Sequence, residues 1–164
     1  MNFENIVLVT GGTLSALLAG LMFTFSNTVV PSLRAVSARE HIRIMQVINV
    51  KILNPVFMVV FMGPNLVLPL AAYLLRNGAE FPYLLAASAL HIIGVLGVTG
   101  GGNVPLNNAL DKVEVDRISD AEAERVRQDH QGVGSRWMML HNVRTVASIV
   151  ATILIFIACL VKAR

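Results

Sequence analysis

The chain has 164 residues, 55% of them hydrophobic and only 14% charged, with a formal net charge of +3. That length makes one domain, and an ordinary soluble domain is about 25% charged. The composition therefore excludes a soluble enzyme and a disordered chain, and +3 falls far short of a patch that neutralises phosphates, which excludes a nucleic-acid binder. The charges are also clustered, leaving charge-free runs at Asn5–Leu33, Ile52–Leu75, Phe81–Leu110 and Thr145–Val161. A helix needs about 20 mostly apolar residues to cross the hydrocarbon core. The expected class is all-α: an integral membrane four-helix bundle in one domain, in contact with the lipid bilayer, with a short soluble helix between the third and fourth spans.

The first span is expected at about residues 6–27. No basic segment precedes it and it is longer than a signal-peptide core, so it reads as a retained helix. Gly12, Ala16 and Gly20 form a small-residue stripe for close helix approach, and Pro31 is expected to close the segment. A basic, helical stretch, Arg34–Lys51, follows as an interfacial helix or a lead-in. The second span, about 55–75, carries Pro55, Pro64 and Pro69, with a kink expected at Gly63-Pro64. A turn at Arg76–Glu80 leads to the third span, about 82–99, after which Gly100-Gly101-Gly102 should loosen the backbone. Within the polar loop 111–136, Ser119 and Glu122 fit a capping box, so a helix is expected over about 120–131, ended by Gly132 and Gly134. The fourth span, about 137–161, lies between Trp137 and the pair Lys162 and Arg164 as interfacial anchors. The lone Cys159 rules out a disulfide within the chain. The Lys and Arg bias places loops 34–51 and 111–136 in the cytoplasm and both termini outside, in a bacterial inner or plasma membrane.

Polar residues at hydrocarbon depth carry the information in such a protein. At about 100° per residue, Trp137, His141, Arg144, Ser148, Thr152 and Cys159 share one stripe, which should face the bundle. Arg144, two turns past Trp137, needs a carboxylate, several carbonyls or an anionic ligand, unless it snorkels to the headgroups. His91, with Ala87, Gly94 and Val98 on its face, either makes an interhelical hydrogen bond or joins His141 as a ligand to haem or metal. His41 and His130 read as solvated. Asn103 and Asn107, with Gln46, Asn49 and Asn54, Asn27 and Asn142, belong near one membrane face. They predict a polar pocket with an apolar floor, the alternative being that they cap helix ends. No metal cluster is legible in the sequence.

The run Val104-Pro105-Leu106-Asn107-Asn108-Ala109-Leu110, followed by Trp137 and His141-Asn142-Val143-Arg144-Thr145, resembles the anthrone oxygenase-like family of small four-span membrane proteins, many of unknown function. Gln46-Val47-Ile48-Asn49 with Asn54-Pro55 and Phe57, and Gly20, Phe23 and Pro31, resemble its earlier helices. The resemblance implies oxidation of a lipophilic aromatic, an anthrone, with O2 and with no flavin, haem or metal, and it implies Asn107, Trp137, Asn142 and Arg144 as site residues. On that basis His141 is the expected base, with His91 second. Arg144, Asn142 and Asn107 would hold the resulting anion, and Trp137, Asn103, Gln46 and Asn49 would bind the lipophilic small molecule. Two other classes stay open: a non-catalytic membrane subunit or lipid-binding protein, and a haem- or quinone-linked electron carrier. Homo-oligomerisation is open as well.

Overall fold

The computed structural model describes residues 2–163, and all its regular structure is helical. Helix α1 runs over Phe3–Arg34, α2 over Ala38–Lys51, α3 over Pro55–Leu74, α4 over Phe81–Asp111, α5 over Asp120–Gln131 and α6 over Arg136–Lys162. Four of them, α1, α3, α4 and α6, are long and apolar enough to cross a membrane. They pack as a ring in which α1 touches α3 and α6, and α4 touches α3 and α6. Chain order thus equals neighbour order, the up-and-down bundle that short connections favour.

The outer surface shows what surrounds the bundle. On α6, Met139, Val143, Val146, Val150, Ile153 and Leu160 all face outward at steps of three, four and seven, and Val56, Val59, Leu66 and Tyr73 do so on α3. An apolar stripe on the outside as well as the inside belongs in lipid rather than water. The protein is an integral membrane protein.

The interior has three layers. At one end Leu8, Leu68, Leu84 and Ile155 pack with small alanines, and Lys162 Nζ ties α6 to Glu4 Oε2 of α1 at 3.0 Å. Leu18, Met22, Phe61, Val95 and Ala147 fill the middle. At the other end, α2 and α5 form a cap over the ends of α1, α4 and α6, centred on Ile42, Met45, Leu110, Ala123 and Trp137. Local sequence fixes the cap helices. Ser37 and Glu40 close a capping box on α2, Ser119 and Glu122 close the expected one on α5, and Ser135 caps α6. The Ser37 hydroxyl and amide hold the Glu40 carboxyl below the usual carboxylate range.

Several expectations change. The first helix does not stop at Pro31 but continues to Arg34, and the third passes through Gly100–Gly102 to Asp111. Both do so through a π-helical turn, Phe25–Val29 and Thr99–Asn103, closed by five-residue bonds from Val30 N–H to the Phe25 carbonyl and from Val104 N–H to the Thr99 carbonyl. In each case that valine is followed by proline, Pro31 or Pro105. A proline ring clashes with the carbonyl four residues back and lacks an N–H; one extra residue in the turn accommodates it without ending the helix. The small-residue stripe is only partly used, since Gly12 packs on Ile155 whereas Gly20 meets nothing. His41 and His130 are buried in the cap rather than solvated. Trp137 is 2% exposed and serves as core, not as an interfacial belt residue. Arg164 lies outside the described residues.

Candidate functional site

Between the bundle and its cap lies a cleft of about 460 Å³. Its walls are apolar, with Met22 and Phe25 from α1, Met45 and Ile48 from α2, and Phe57 and Phe61 from α3. Its polar residues come from α4 and α6, which supply Thr99, Asn107, Asn108, Asp111, His141 and Arg144, together with Asn49 of α2. The lining residues Met58 of α3 and Val104 of α4 are each 41% exposed on the outer surface. Thr99–Asp111 packs against α6 and α2, whereas α3 packs against the earlier part of α4. Val50 of α2 and Leu53 before α3 also line the cleft and are more exposed still, so the cleft has an exposed apolar rim.

One wall is an ordered stack. The Trp137 indole lies parallel to His141, with ring centroids 5.0 Å apart and planes 17° apart, and Phe25 meets the same imidazole edge-on at 5.5 Å. Trp137 Nε1 donates to Asn107 Oδ1 at 2.7 Å, which fixes the indole's rotation. Arg144 extends this wall, its guanidinium carbon 5.7 Å from the Trp137 ring centre. Arg144 Nη2 donates to His141 Nδ1 at 3.0 Å and Nη1 donates to Thr99 Oγ1 at 3.3 Å. Thr99 in turn donates to the Val95 carbonyl at 2.6 Å. The other imidazole nitrogen, Nε2, lies 2.9 Å from Ser26 Oγ.

Arg144 is 9% exposed, and its Nε–H has no acceptor among the described residues. No carboxylate among them lies within ion-pair reach of it either; the six ion pairs join other residues. A buried cation held only by neutral acceptors is costly, because desolvation is not repaid by an opposite charge. Snorkelling does not describe it, because its donors turn inward to His141 and Thr99.

The sequence-derived candidates separate on this geometry. Trp137, His141, Arg144, Asn107 and Asn49 meet at the cleft. Asn103 is buried behind it, donating from Nδ2 to the Trp137 carbonyl at 3.1 Å. Gln46 Nε2 binds the Leu110 and Val113 carbonyls, so it clasps the end of α4. Asn54 caps α3 and Asn27 points outward. Asn142 is exposed on the outer face, since one residue beyond His141 the helix has turned by about 100°; it does not reach the cleft.

His91 is completely buried in the bundle, away from the cleft, bound through Nε2 to Ser15 Oγ at 2.7 Å, which also meets Thr152 Oγ1 at 2.9 Å. Thr152 lies eleven residues beyond His141 on α6, about 16 Å along the axis by helix rise. His91 and His141 therefore do not face one another across a site for one haem. Among the described residues, no three His, Cys, Asp or Glu side chains cluster at metal-binding distance.

Sequence reasoning missed Phe25, Ser26, Thr99 and Asp111. The hydroxyl residues look like ordinary helix-end residues, and Asp111 looked like the start of a loop. Only the π-turns turn the first three towards α6.

The family model for anthrone oxygenase matches residues 57–154, which carry α3, α4, α5 and the part of α6 that holds Trp137, His141 and Arg144. The chain belongs to the anthrone oxygenase family. No curated protein and no solved structure matches it. The family match covers the aromatic and cationic wall of the cleft, while Phe25, Ser26, Met45 and Asn49 come from helices that precede the matched stretch.

Proposed function

We propose that this member of the anthrone oxygenase family oxidises a flat, lipophilic anthrone-type aromatic with molecular oxygen inside the cleft. The observation that carries the reading is Arg144: a buried cation with no carboxylate among the described residues within ion-pair reach, on the wall of an apolar cleft, beside a histidine and the indole stacked on it. Ligand sites are commonly apolar clefts of some hundreds of Å³ with a few placed polar groups, and this one has exposed apolar residues at its rim. A substrate dissolved in the bilayer would enter between Met58 and Val104 and lie along the Trp137 face.

The chemistry follows from where the donors sit. The ketone oxygen accepts from Arg144. The carbon between the two aryl rings is acidic because its anion is delocalised onto that oxygen. His141 Nδ1 takes this proton once the guanidinium has turned from the imidazole to the substrate. Oxygen adds to the carbanion carbon, and the protonated histidine returns its proton to give a hydroperoxide. Loss of water from that carbon leaves the second carbonyl: two C–H bonds are broken, one oxygen atom is retained and the other leaves as water. The residues supply a base and an oxyanion donor, contributions typically of about 10²–10⁴-fold for the base and 10²–10³-fold for one donor. The Lys and Arg bias of the cap supports its placement on the cytoplasmic side.

The test is oxygen uptake and quinone formation from an anthrone by the protein in proteoliposomes. Wild type should convert it. Arg144→Ala and His141→Ala should each fall by at least about 100-fold, with Arg144→Lys retaining part of the rate. Full activity in both alanine variants, or none in folded wild type, overturns the reading.

A further inference from the structure

Ser26 lies outside the stretch matched to the family and belongs to none of the motifs legible in the sequence. Its position follows from the π-turn Phe25–Val29, which begins one residue before it. Its hydroxyl is the hub of three contacts: Met22 carbonyl at 3.1 Å, His141 Nε2 at 2.9 Å and Thr145 Oγ1 at 3.3 Å.

The protons in this cluster can be counted. An arginine has donors and no acceptor, so His141 Nδ1, 3.0 Å from Arg144 Nη2, must present its lone pair. A neutral imidazole carries one proton, which is then on Nε2. Nε2–H donates to Ser26 Oγ. The single Ser26 proton goes to the Met22 carbonyl, its helical acceptor four residues back. The Thr145 proton is spent on the His141 carbonyl at 2.8 Å. Every proton has one acceptor, and the opposite tautomer would set an imidazole N–H against the guanidinium.

We infer that Ser26 is a positioning residue: Arg144 imposes the Nε2–H tautomer of His141 while it covers Nδ1, and Ser26, accepting from Nε2–H, keeps that tautomer and the basic lone pair on Nδ1 once a ligand oxygen draws the guanidinium away. As a statement about catalysis this rests on the oxidation reading above; as a statement about the histidine it does not. The pair Arg144 and His141 then works as a latch opened by the substrate itself, and an empty cleft keeps its base covered.

The experiment is nitrogen-15 NMR of the full chain in nanodiscs with labelled histidine. The chain has four histidines, and His141→Gln assigns the signal of interest. Ring nitrogen shifts and couplings report which nitrogen holds the proton. Wild-type His141 should carry it on Nε2. Anthrone added without oxygen should move the Nδ1 resonance as Arg144 leaves it. With anthrone bound in the absence of oxygen, Ser26→Ala should give a mixed tautomer population, and it should lower kcat by roughly 10–100-fold, the usual cost of losing a partner that orients a functional histidine, with KM little changed. Ser26→Thr, which keeps the hydroxyl, should restore both signals. A wild-type proton on Nδ1, or an unchanged tautomer in folded, anthrone-bound Ser26→Ala, overturns the inference. If wild type leaves anthrone unoxidised while the tautomer behaves as stated, the oxidation reading fails and the assignment to Ser26 stands.

Discussion

Gly94 sets how closely α4 can approach α6, because a Cβ built on it would lie 2.8 Å from the Ala147 Cβ. Gly20, with nothing within 4 Å, is its natural control. Gly94→Ala is expected to destabilise the bundle by about 1–3 kcal/mol through overpacking. Gly20→Ala should be neutral or stabilise by up to about 1 kcal/mol through helix propensity. Thermal unfolding midpoints in one detergent compare the two directly. At the cleft, Trp137→Phe keeps an aromatic ring against His141 but leaves Asn107 Oδ1 without its 2.7 Å donor. It should cost about 1–3 kcal/mol, and Trp137→Ala about 3–5 kcal/mol, read in the same assay. Individual residues were legible in the sequence where their chemistry is out of place: a cation and a histidine on an apolar helix, a tryptophan below them, an amide one helix away. Ser26 and Thr99 were not, since a hydroxyl in a helix normally bonds its own backbone, as both of these also do. Asn142 was misplaced for a different reason. It belongs to the motif in one dimension but lies about 100° from His141 around the helix.

At the scale of helices, a further π segment, Leu90–Gly97 in α4, has no proline behind it, but the two π-turns Phe25–Val29 and Thr99–Asn103 are equivalent devices. Each occupies five residues, is followed by valine and proline, and delivers a hydroxyl to α6: Ser26 to His141 from one side, Thr99 to Arg144 from the other. Replacing Pro31 or Pro105 with alanine restores an N–H and removes the ring clash, so the ordinary four-residue ladder can re-form. Losing the extra residue rotates the N-terminal part of the helix by about 100° relative to its C-terminal part. That rotation would also turn core residues such as Met22 and Val95 out of the interior, so Pro31→Ala and Pro105→Ala are expected to lower the thermal midpoint as well as anthrone turnover. Stability and turnover both at the wild-type level would refute this account. The four spans were readable from charge and hydropathy, since lipid demands them. The π-turns were not, because proline after an apolar run reads as a stop, and nothing local states that the helix resumes.

For the molecule as a whole, the cap matters because α2 supplies part of the cleft wall. Arg39 fastens α2 to the start of α5 and the loop before it, with Nε on Asp120 Oδ1 at 2.6 Å, Nη1 on the Val115 carbonyl at 2.7 Å and Nη2 on the Ile118 carbonyl. His41, on the same helix, is fully buried, and Nδ1 meets the Leu33 carbonyl at 2.9 Å. Burial pushes this imidazole below its ordinary value, the Leu33 bond opposes that, and nearby Arg127 and Arg34 reinforce it. The folded cap therefore binds a proton less readily than the unfolded chain, whose histidines titrate near about 6.5. Its contribution to stability is complete above that pH and is lost as the pH falls towards the lower, folded-state value. Acidifying from pH 7 to 5 should lower the protection of α2 amides, measured as exchange relative to the intrinsic rate at each pH, and His41→Gln should flatten part of that response. Protection factors in wild-type α2 that do not change over this range would contradict it. The burial of His41 was illegible in a sequence whose neighbourhood is basic and polar. It becomes visible only when α5 and the end of α1 are seen to close over it.

The missing counter-ion of Arg144 has a consequence for turnover. In the cleft Arg144 has no carboxylate among the described residues within ion-pair reach, although Asp111 shares the lining, and in the proposed reaction the ionised substrate would supply the missing charge. The proposed oxidation would convert that anion into an uncharged quinone and so remove the attraction at the moment the reaction ends. Product release would then be built into the change of charge, and the membrane that delivers a neutral reactant would take back an equally neutral product.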